Sequence, residues 1–211
     1  MLRRFGFEAV TFSYPRNEPF GSSSLVYGGN CDLVTFRREE LVNLLEEVRT
    51  MKADFPVLNP AASLREMQRH LRGEPEIFPC VGGYKYFYLD WNMDIWRCEA
   101  WSEPLGCVLD FERLPTTREP CTACTMSCYR DTSTIMHAAL AISDAAVDAA
   151  HGRWISALRK LGRPGIAQSI GAVRENARIL SRLGRRGHRS RRPPFRAQDQ
   201  TECIRLSSDR E

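Results

Sequence analysis

A chain of 211 residues with 43% hydrophobic content carries enough apolar material for one core, and its longest apolar run, Ile135 to Ala150, is broken by His137, Asp144 and Asp148, which excludes a bilayer-spanning helix. The net charge of +4 hides an asymmetry: basic residues recur from Arg153 to Arg196 with almost only Glu175 opposing them, while the body before them has an acidic excess. Eight cysteines exceed ordinary intracellular usage, and the N-terminal Met-Leu-Arg-Arg-Phe-Gly-Phe-Glu lacks the apolar run of a secretory signal, so a cytoplasmic location with reduced, metal-binding thiols is expected.

In chain order, Phe7 to Tyr14 is rich in β-branched and aromatic residues and stops at Pro15, which predicts a strand followed by a loop to Asn30. Leu41, Leu44, Leu45, Val48 and Met51 form a helical stripe, with Thr35 a candidate N-cap and Glu39 and Glu40 in the first turn. A strand-like piece follows from Phe55 to Asn59, and Ser63-Leu-Arg-Glu66 has the capping-box pattern of a helix that turns Leu64, Met67 and Leu71 inward. The expected order is β, α, β, α with parallel pairing. After Pro79, Tyr84 to Leu89 and Ile95 to Cys98 flank a polar Asp90–Asp94 turn, which predicts a β-hairpin with Asn92 left-handed and Cys98 returned beside Cys80. The stretch from Trp101 to Pro120 reads as irregular, with a short apolar piece at Val108 to Phe111.

From Thr132 the pattern is helical, with Ile135, Ala138, Ile142, Ala149, Trp154, Leu158 and Leu161 near one face. Gly162-Arg-Pro-Gly165 breaks it, and Ile166, Ile170, Val173, Ala177 and Leu180 predict a second helix packed antiparallel to the first. Beyond Gly184 the composition is too poor in large apolar residues to offset ordering entropy, which predicts a disordered basic tail over 184–211. That tail shows no recognition fold, so no specific nucleic-acid partner is expected.

The chemistry concentrates between Cys80 and Cys128, which hold six of the eight cysteines, ending in the run Cys121-x2-Cys124-x3-Cys128. Thiolates at a two-residue gap reach one ion or one cluster edge without straining the backbone, and distant cysteines complete the set once the chain folds back. Ligand type alone leaves an iron–sulfur cluster and Zn²⁺ both open. Cys31 and Cys107 lack partners at ligand spacing, and Cys203 lies in the tail. Gly82-Gly83 is expected to let the backbone pass close to the site, and His70, His137 and His151 have no ligand spacing.

Phe-Pro-Cys80-Val-Gly-Gly, the hairpin Tyr-Phe-Tyr-Leu-Asp90 with Cys98 after it, Leu105-Gly106, and Cys121-x2-Cys124-x3-Cys128-Tyr-Arg-Asp131 resemble the auxiliary-cluster region, of the twitch or SPASM type, of radical S-adenosylmethionine enzymes. The resemblance covers about residues 78 to 131, and the segment before it is similar to the closing units of that superfamily's partial (βα) barrel. It implies an α/β fold in four parts: barrel remainder 1–77, cluster domain 78–131, helical hairpin 132–183 and tail 184–211. It further implies one auxiliary [4Fe–4S] cluster on Cys80, Cys98, Cys121 and Cys124, with Cys128 an alternative or fifth ligand. Ser13, Tyr14 and Asn59, at the strand ends, would line a substrate cavity. The superfamily's C-x3-C-x2-C motif, which binds and cleaves S-adenosylmethionine, is absent, and the run from Cys121 to Cys128 is its reversal. The resemblance therefore implies a truncated or split member that meets S-adenosylmethionine only when the missing half is supplied in trans, or that serves a redox partner. The other reading of the same thiols is a zinc-stabilised, non-catalytic interaction module that binds a partner through its helix pair and tail.

Overall fold

A computed structural model describes residues 2–13, 36–98, 100–117, 119, 121–124 and 126–187. The architecture is mixed α/β and mostly helical, with one small antiparallel sheet. Helices α1 (Arg38–Met51) and α2 (Ala61–Leu71) precede strands β1 (Tyr88–Leu89), β2 (Asp94–Trp96) and β3 (Pro104–Cys107), and helices α3 (Ser127–Ala150), α4 (Trp154–Leu161) and α5 (Ile166–Gly187) follow. By its contacts the chain divides at Ile179/Leu180. No described helix is long and apolar enough to cross a membrane.

The two parallel strands expected near the N-terminus contract to a single bridge between Val10 and Val57. The Val10 N–H donates to the Pro56 carbonyl at 3.0 Å and the Leu58 N–H to the Val10 carbonyl at 2.9 Å. Prolines at 56 and 60 remove two ladder donors, which stops the pairing on either side of Val57. A side chain continues it instead: the Phe12 N–H donates to Asn59 Oδ1 at 2.6 Å, and Asn59 Nδ2 returns a bond to the Phe12 carbonyl at 3.0 Å. Among the described residues the expected parallel pairing of these two segments is limited to this one bridge. Leu45, Val48, Val57, Leu64 and Met67 make the core beneath this bridge, with Val10, Phe12, Met51 and Leu71 packed against it.

Both helix starts differ from their sequence patterns. Arg37 caps α1, its N–H bonded to Glu40 Oε2 at 2.8 Å, while Thr35 lies outside the described residues. Helix α2 begins at Ala61 behind Pro60, two residues before the capping box, because a distant acid does the capping: Glu175 of α5 accepts the Ala61 N–H at 3.0 Å. Ser63 and Glu66 are thereby released for tertiary bonds. Lys52 joins the same corner, paired with Glu175 at 2.8 Å and donating to the Val57 and Asn59 carbonyls, each at 2.6 Å.

The hairpin forms as expected, with Tyr88 opposite Trp96 and Leu89 opposite Ile95. Its turn is organised by Asp90, which accepts the N–H groups of Asn92 (2.9 Å) and Asp94 (3.0 Å) and the Trp96 indole N–H (2.9 Å). That Asx turn places the left-handed residue one position later than expected: Met93, at φ 67°, and not Asn92. The stretch read as irregular supplies β3 on the other side of β2, with a bulge between Ile95 and Trp96, and the apolar piece after it is a 3-10 helix over Val108–Arg113.

The helical part has three members where two were expected. Gly152, at φ 74°, ends α3 and lets α4 begin two residues later. The buried face of α3 is small and polar, including Ser133, Thr134, His137, Ala138, Ala141, Ala145 and Asp148, while Ile142 is exposed. Ser169 of α5 accepts the Ala138 N–H at 3.0 Å. Gly165, at φ 90°, closes the α4–α5 turn onto Phe78; a Cβ there would lie 2.8 Å from that ring. Of the tail expected over 184–211, residues to Gly187 belong to α5 and 188–211 lie outside the described residues.

Candidate functional site

Three loops bring the cysteines together. Cys80 lies between α2 and β1, Cys98 two residues after β2, and Cys121 and Cys124 just before α3; all four are half-buried free thiols. Burial pushes the Cys80 thiol up and the Cys98 thiol up to about 11. Cys121 and Cys124 stand near enough for their charges to raise both further, and Cys80 does the same to Cys98. Among the described residues, however, no three His, Cys, Asp or Glu side chains form a group that could hold a metal ion. A single Zn²⁺ takes its sulfur ligands at about 2.3 Å. A cubane cluster takes its thiolates wider apart, at separate corners, and four thiols are its ordinary donor set.

The backbone around the thiols has the form of a cradle. The Gly82 N–H points at Cys80 Sγ at 3.4 Å, and the Ala100 N–H bonds to Cys98. Both contacts favour the thiolate and so oppose the rise caused by burial. A Cβ at Gly82 would lie 3.4 Å from Cys80 Sγ and 3.2 Å from both the Arg97 carbonyl oxygen and Tyr129 Cδ1, so a larger residue would crowd the place where the three segments meet. At Gly83, φ 77° and a Cβ position 2.6 Å from Arg97 Cγ exclude other residues twice over.

Two arginines tie these loops together, and neither was singled out from the sequence. Arg130, on the first turns of α3, is 1% exposed. Its guanidinium holds the Glu76 carboxylate at 2.6 and 2.7 Å and bonds the Cys124 carbonyl through Nε (2.9 Å) and Nη2 (2.6 Å). A longer bond, 3.5 Å, reaches the Phe78 carbonyl two residues before Cys80. One buried cation thus fixes both the Cys80 and Cys124 loops, and its charge also favours the Cys80 thiolate. Arg97 stacks over Trp101 at 4.6 Å and donates to the Glu119 carbonyl at 2.9 Å, linking the Cys98 end of β2 to the segment that leads into Cys121. Glu66, read as half of a capping box, instead accepts the Ile77 and Phe78 N–H groups and holds the approach to Cys80. The only sequence signal for Arg130 was its place in the Cys128-Tyr-Arg-Asp131 run.

The remaining candidates are placed as follows. Cys128 is exposed on the first turn of α3, and Cys107 is half-buried at the end of β3. Cys31, Cys203 and Tyr14 lie outside the described residues. Ser13 is exposed and accepts a bond from the Ser127 hydroxyl at 3.2 Å. Asn59 has no exposed surface; its amide is engaged by Phe12 and by Asp131 Oδ2 at 2.7 Å, and Ser63 donates to the other Asp131 oxygen. Two adjoining cavities, the first of them lined in part by Cys80, include neither Ser13 nor Asn59 in their linings. One, of about 290 Å³, is lined by Cys80, Val81, Tyr84, Ser133, His137 and Arg163 among others. The second, of about 370 Å³, shares Tyr84, Leu140 and Asp144 with it. Burial lowers the pKa of His137, whose ring also meets the Pro164 carbonyl at 2.8 Å and stands edge-on to Phe78 at 5.3 Å.

A scan of protein-family models and searches of curated proteins and of solved structures found nothing that matches this chain.

Proposed function

We propose that this chain binds one [4Fe–4S] cluster through Cys80, Cys98, Cys121 and Cys124, as an iron–sulfur protein akin to the auxiliary-cluster region of radical S-adenosylmethionine enzymes. The observation that carries the reading is the convergence of the three loops that bear four half-buried free thiols: Arg130 bonds the Phe78 and Cys124 carbonyls, and the Gly82 Cβ position lies 3.4 Å from Cys80 Sγ and 3.2 Å from the Arg97 carbonyl oxygen. Their supports agree with it: N–H donors aimed at two sulfurs, a glycine pair that opens the space, and a buried arginine holding two of the loops. Such a cluster supplies one-electron transfer or an anchoring point for substrate. The cavity beside Cys80 is the place where a small molecule would meet it. Cys128 is a further ligand candidate on the adjoining turn. On this reading the Val10–Val57 bridge with α1 and α2 corresponds to the end of a partial (βα) barrel. Cleavage of S-adenosylmethionine would need a C-x3-C-x2-C segment, which these 211 residues do not contain.

The test is anaerobic reconstitution of the full chain with iron and sulfide, followed by metal analysis and visible spectra before and after dithionite. About four iron and four sulfide per chain, with colour that bleaches on reduction, are expected. Cys98→Ser should lose most of the iron, while Cys107→Ser keeps it. Stoichiometric zinc without iron, or a Cys98→Ser protein as brown as its parent, would overturn the assignment.

A further inference from the structure

Helix α4 is mounted with its apolar side outward. At about 100° per residue, Trp154, Ile155, Leu158 and Leu161 fall within about 120° of arc, and Ser156, Ala157 and Lys160 lie on the other side. The second side faces the protein. Ala157 is buried, and Asp148 of α3 accepts bonds from Lys160 at 2.6 Å, from Arg153 at 2.7 Å and from the Ser156 hydroxyl. Those donors, Lys160 first, hold the Asp148 carboxyl far below the usual carboxylate range. The polar face is thus anchored, and the apolar residues are exposed at 66%, 70%, 68% and 48% in chain order. Four large apolar side chains left open on eight residues far exceed the scattered exposure of an ordinary surface. Helix α5 likewise leaves Ile170 and Val173 uncovered, next to Arg174.

We propose that α4 is a monotopic membrane anchor that lies in the interface of a bilayer containing anionic lipid. The charge around it selects that occupant. Arg153 and Lys160 pair with Asp148 and Arg163 with Asp144, so the outward positive charge beside the apolar face comes from the exposed Arg159 and Arg174, while the one acid between residues 153 and 179, Glu175, is turned inward onto Lys52 and the Ala61 N–H. A second copy of the chain would set like charges against each other around a shared apolar patch, which costs association energy. Anionic headgroups gain from the same charges, and a tryptophan next to an arginine at the helix start suits the boundary between headgroups and acyl chains.

Flotation of the full chain with phosphatidylcholine vesicles containing about one-third phosphatidylglycerol tests this. The chain should float with these vesicles, more weakly as salt rises, and far less with phosphatidylcholine alone. The double variant Ile155→Asp/Leu158→Asp should partition at least about tenfold more weakly while melting like the parent, because both positions are exposed. Brominated acyl chains should quench part of the parent's tryptophan emission, and that quenching should vanish in Trp154→Phe. Absence of flotation overturns the proposal, whether a protein or another part of this chain covers the face. Binding that the double variant leaves intact also overturns it, by assigning the contact to basic residues alone. Self-association without lipid that the double variant abolishes would assign the face to a second copy. The readout is independent of cluster content, so its failure and that of the iron–sulfur reading are distinguishable.

Discussion

Arg130 shows how one side chain can organise a site without being among its ligands. Its guanidinium is out of solvent and its counter-ion Glu76 nearly so, at 1% and 7% side-chain exposure. Removing one member of such a pair leaves a buried charge uncompensated, which costs about 3–5 kcal/mol. Arg130→Met should therefore lower unfolding stability by about that amount in urea titration of the metal-free protein. A loss below about 1 kcal/mol would show that Glu76 reaches water or finds His70, which already meets it at 2.8 Å, sufficient.

At the scale of elements, the hairpin carries a local cost that its sequence conceals. Met93 takes φ 67° because Asp90 bonds the N–H groups of Asn92 and Asp94 and so sets the turn around them. A left-handed conformation costs a non-glycine residue about 1–2 kcal/mol, part of which glycine returns through its freedom in the unfolded chain. The Met93 side chain is 49% exposed, so little packing is at stake. Met93→Gly should raise stability by about 0.5–1 kcal/mol, read as a higher urea midpoint at unchanged slope. A clear destabilisation would mean that the exposed methionine makes a contact the turn geometry does not reveal.

For the molecule as a whole, the joint between the N-terminal bridge and α3 is titratable. Burial pushes the Asp131 carboxyl up from 3.8 to about 6, against hydrogen bonds from Ser63 and Asn59 and the charge of Lys52. Because the folded value is the higher one, the folded state holds this proton more tightly. The associated stability is complete below about pH 4, falls as pH rises towards 6, and is lost above it, a change of about 2–3 kcal/mol. Stability curves of the parent and of Asp131→Asn, measured across this window, should differ in slope in that sense. Parallel curves would place the titration elsewhere.

Helix α1, the core stripe Leu45, Val48, Leu64 and Met67, the hairpin and the cysteine runs were legible because each rests on periodicity, turn chemistry or spacing within a short stretch. The return of the Cys98 end of β2 to the Cys80 loop was legible too, since a hairpin closes that loop locally and brings the Arg97 carbonyl and Cys80 Sγ to either side of Gly82. What tertiary structure decided involves partners distant in sequence. Glu175 caps α2 from α5, which made Ser63 and Glu66 tertiary hydrogen-bonding residues although their spacing reads as a capping box. Two prolines reduced the expected parallel strands to a bridge that an asparagine side chain completes. Periodicity finds the apolar stripe of α4 but cannot say which side faces the body; Asp148, a buried acid on another helix, decided that by binding the polar side. Amphipathic pattern is a property of one segment, and orientation is set by whatever bond the neighbouring segment offers.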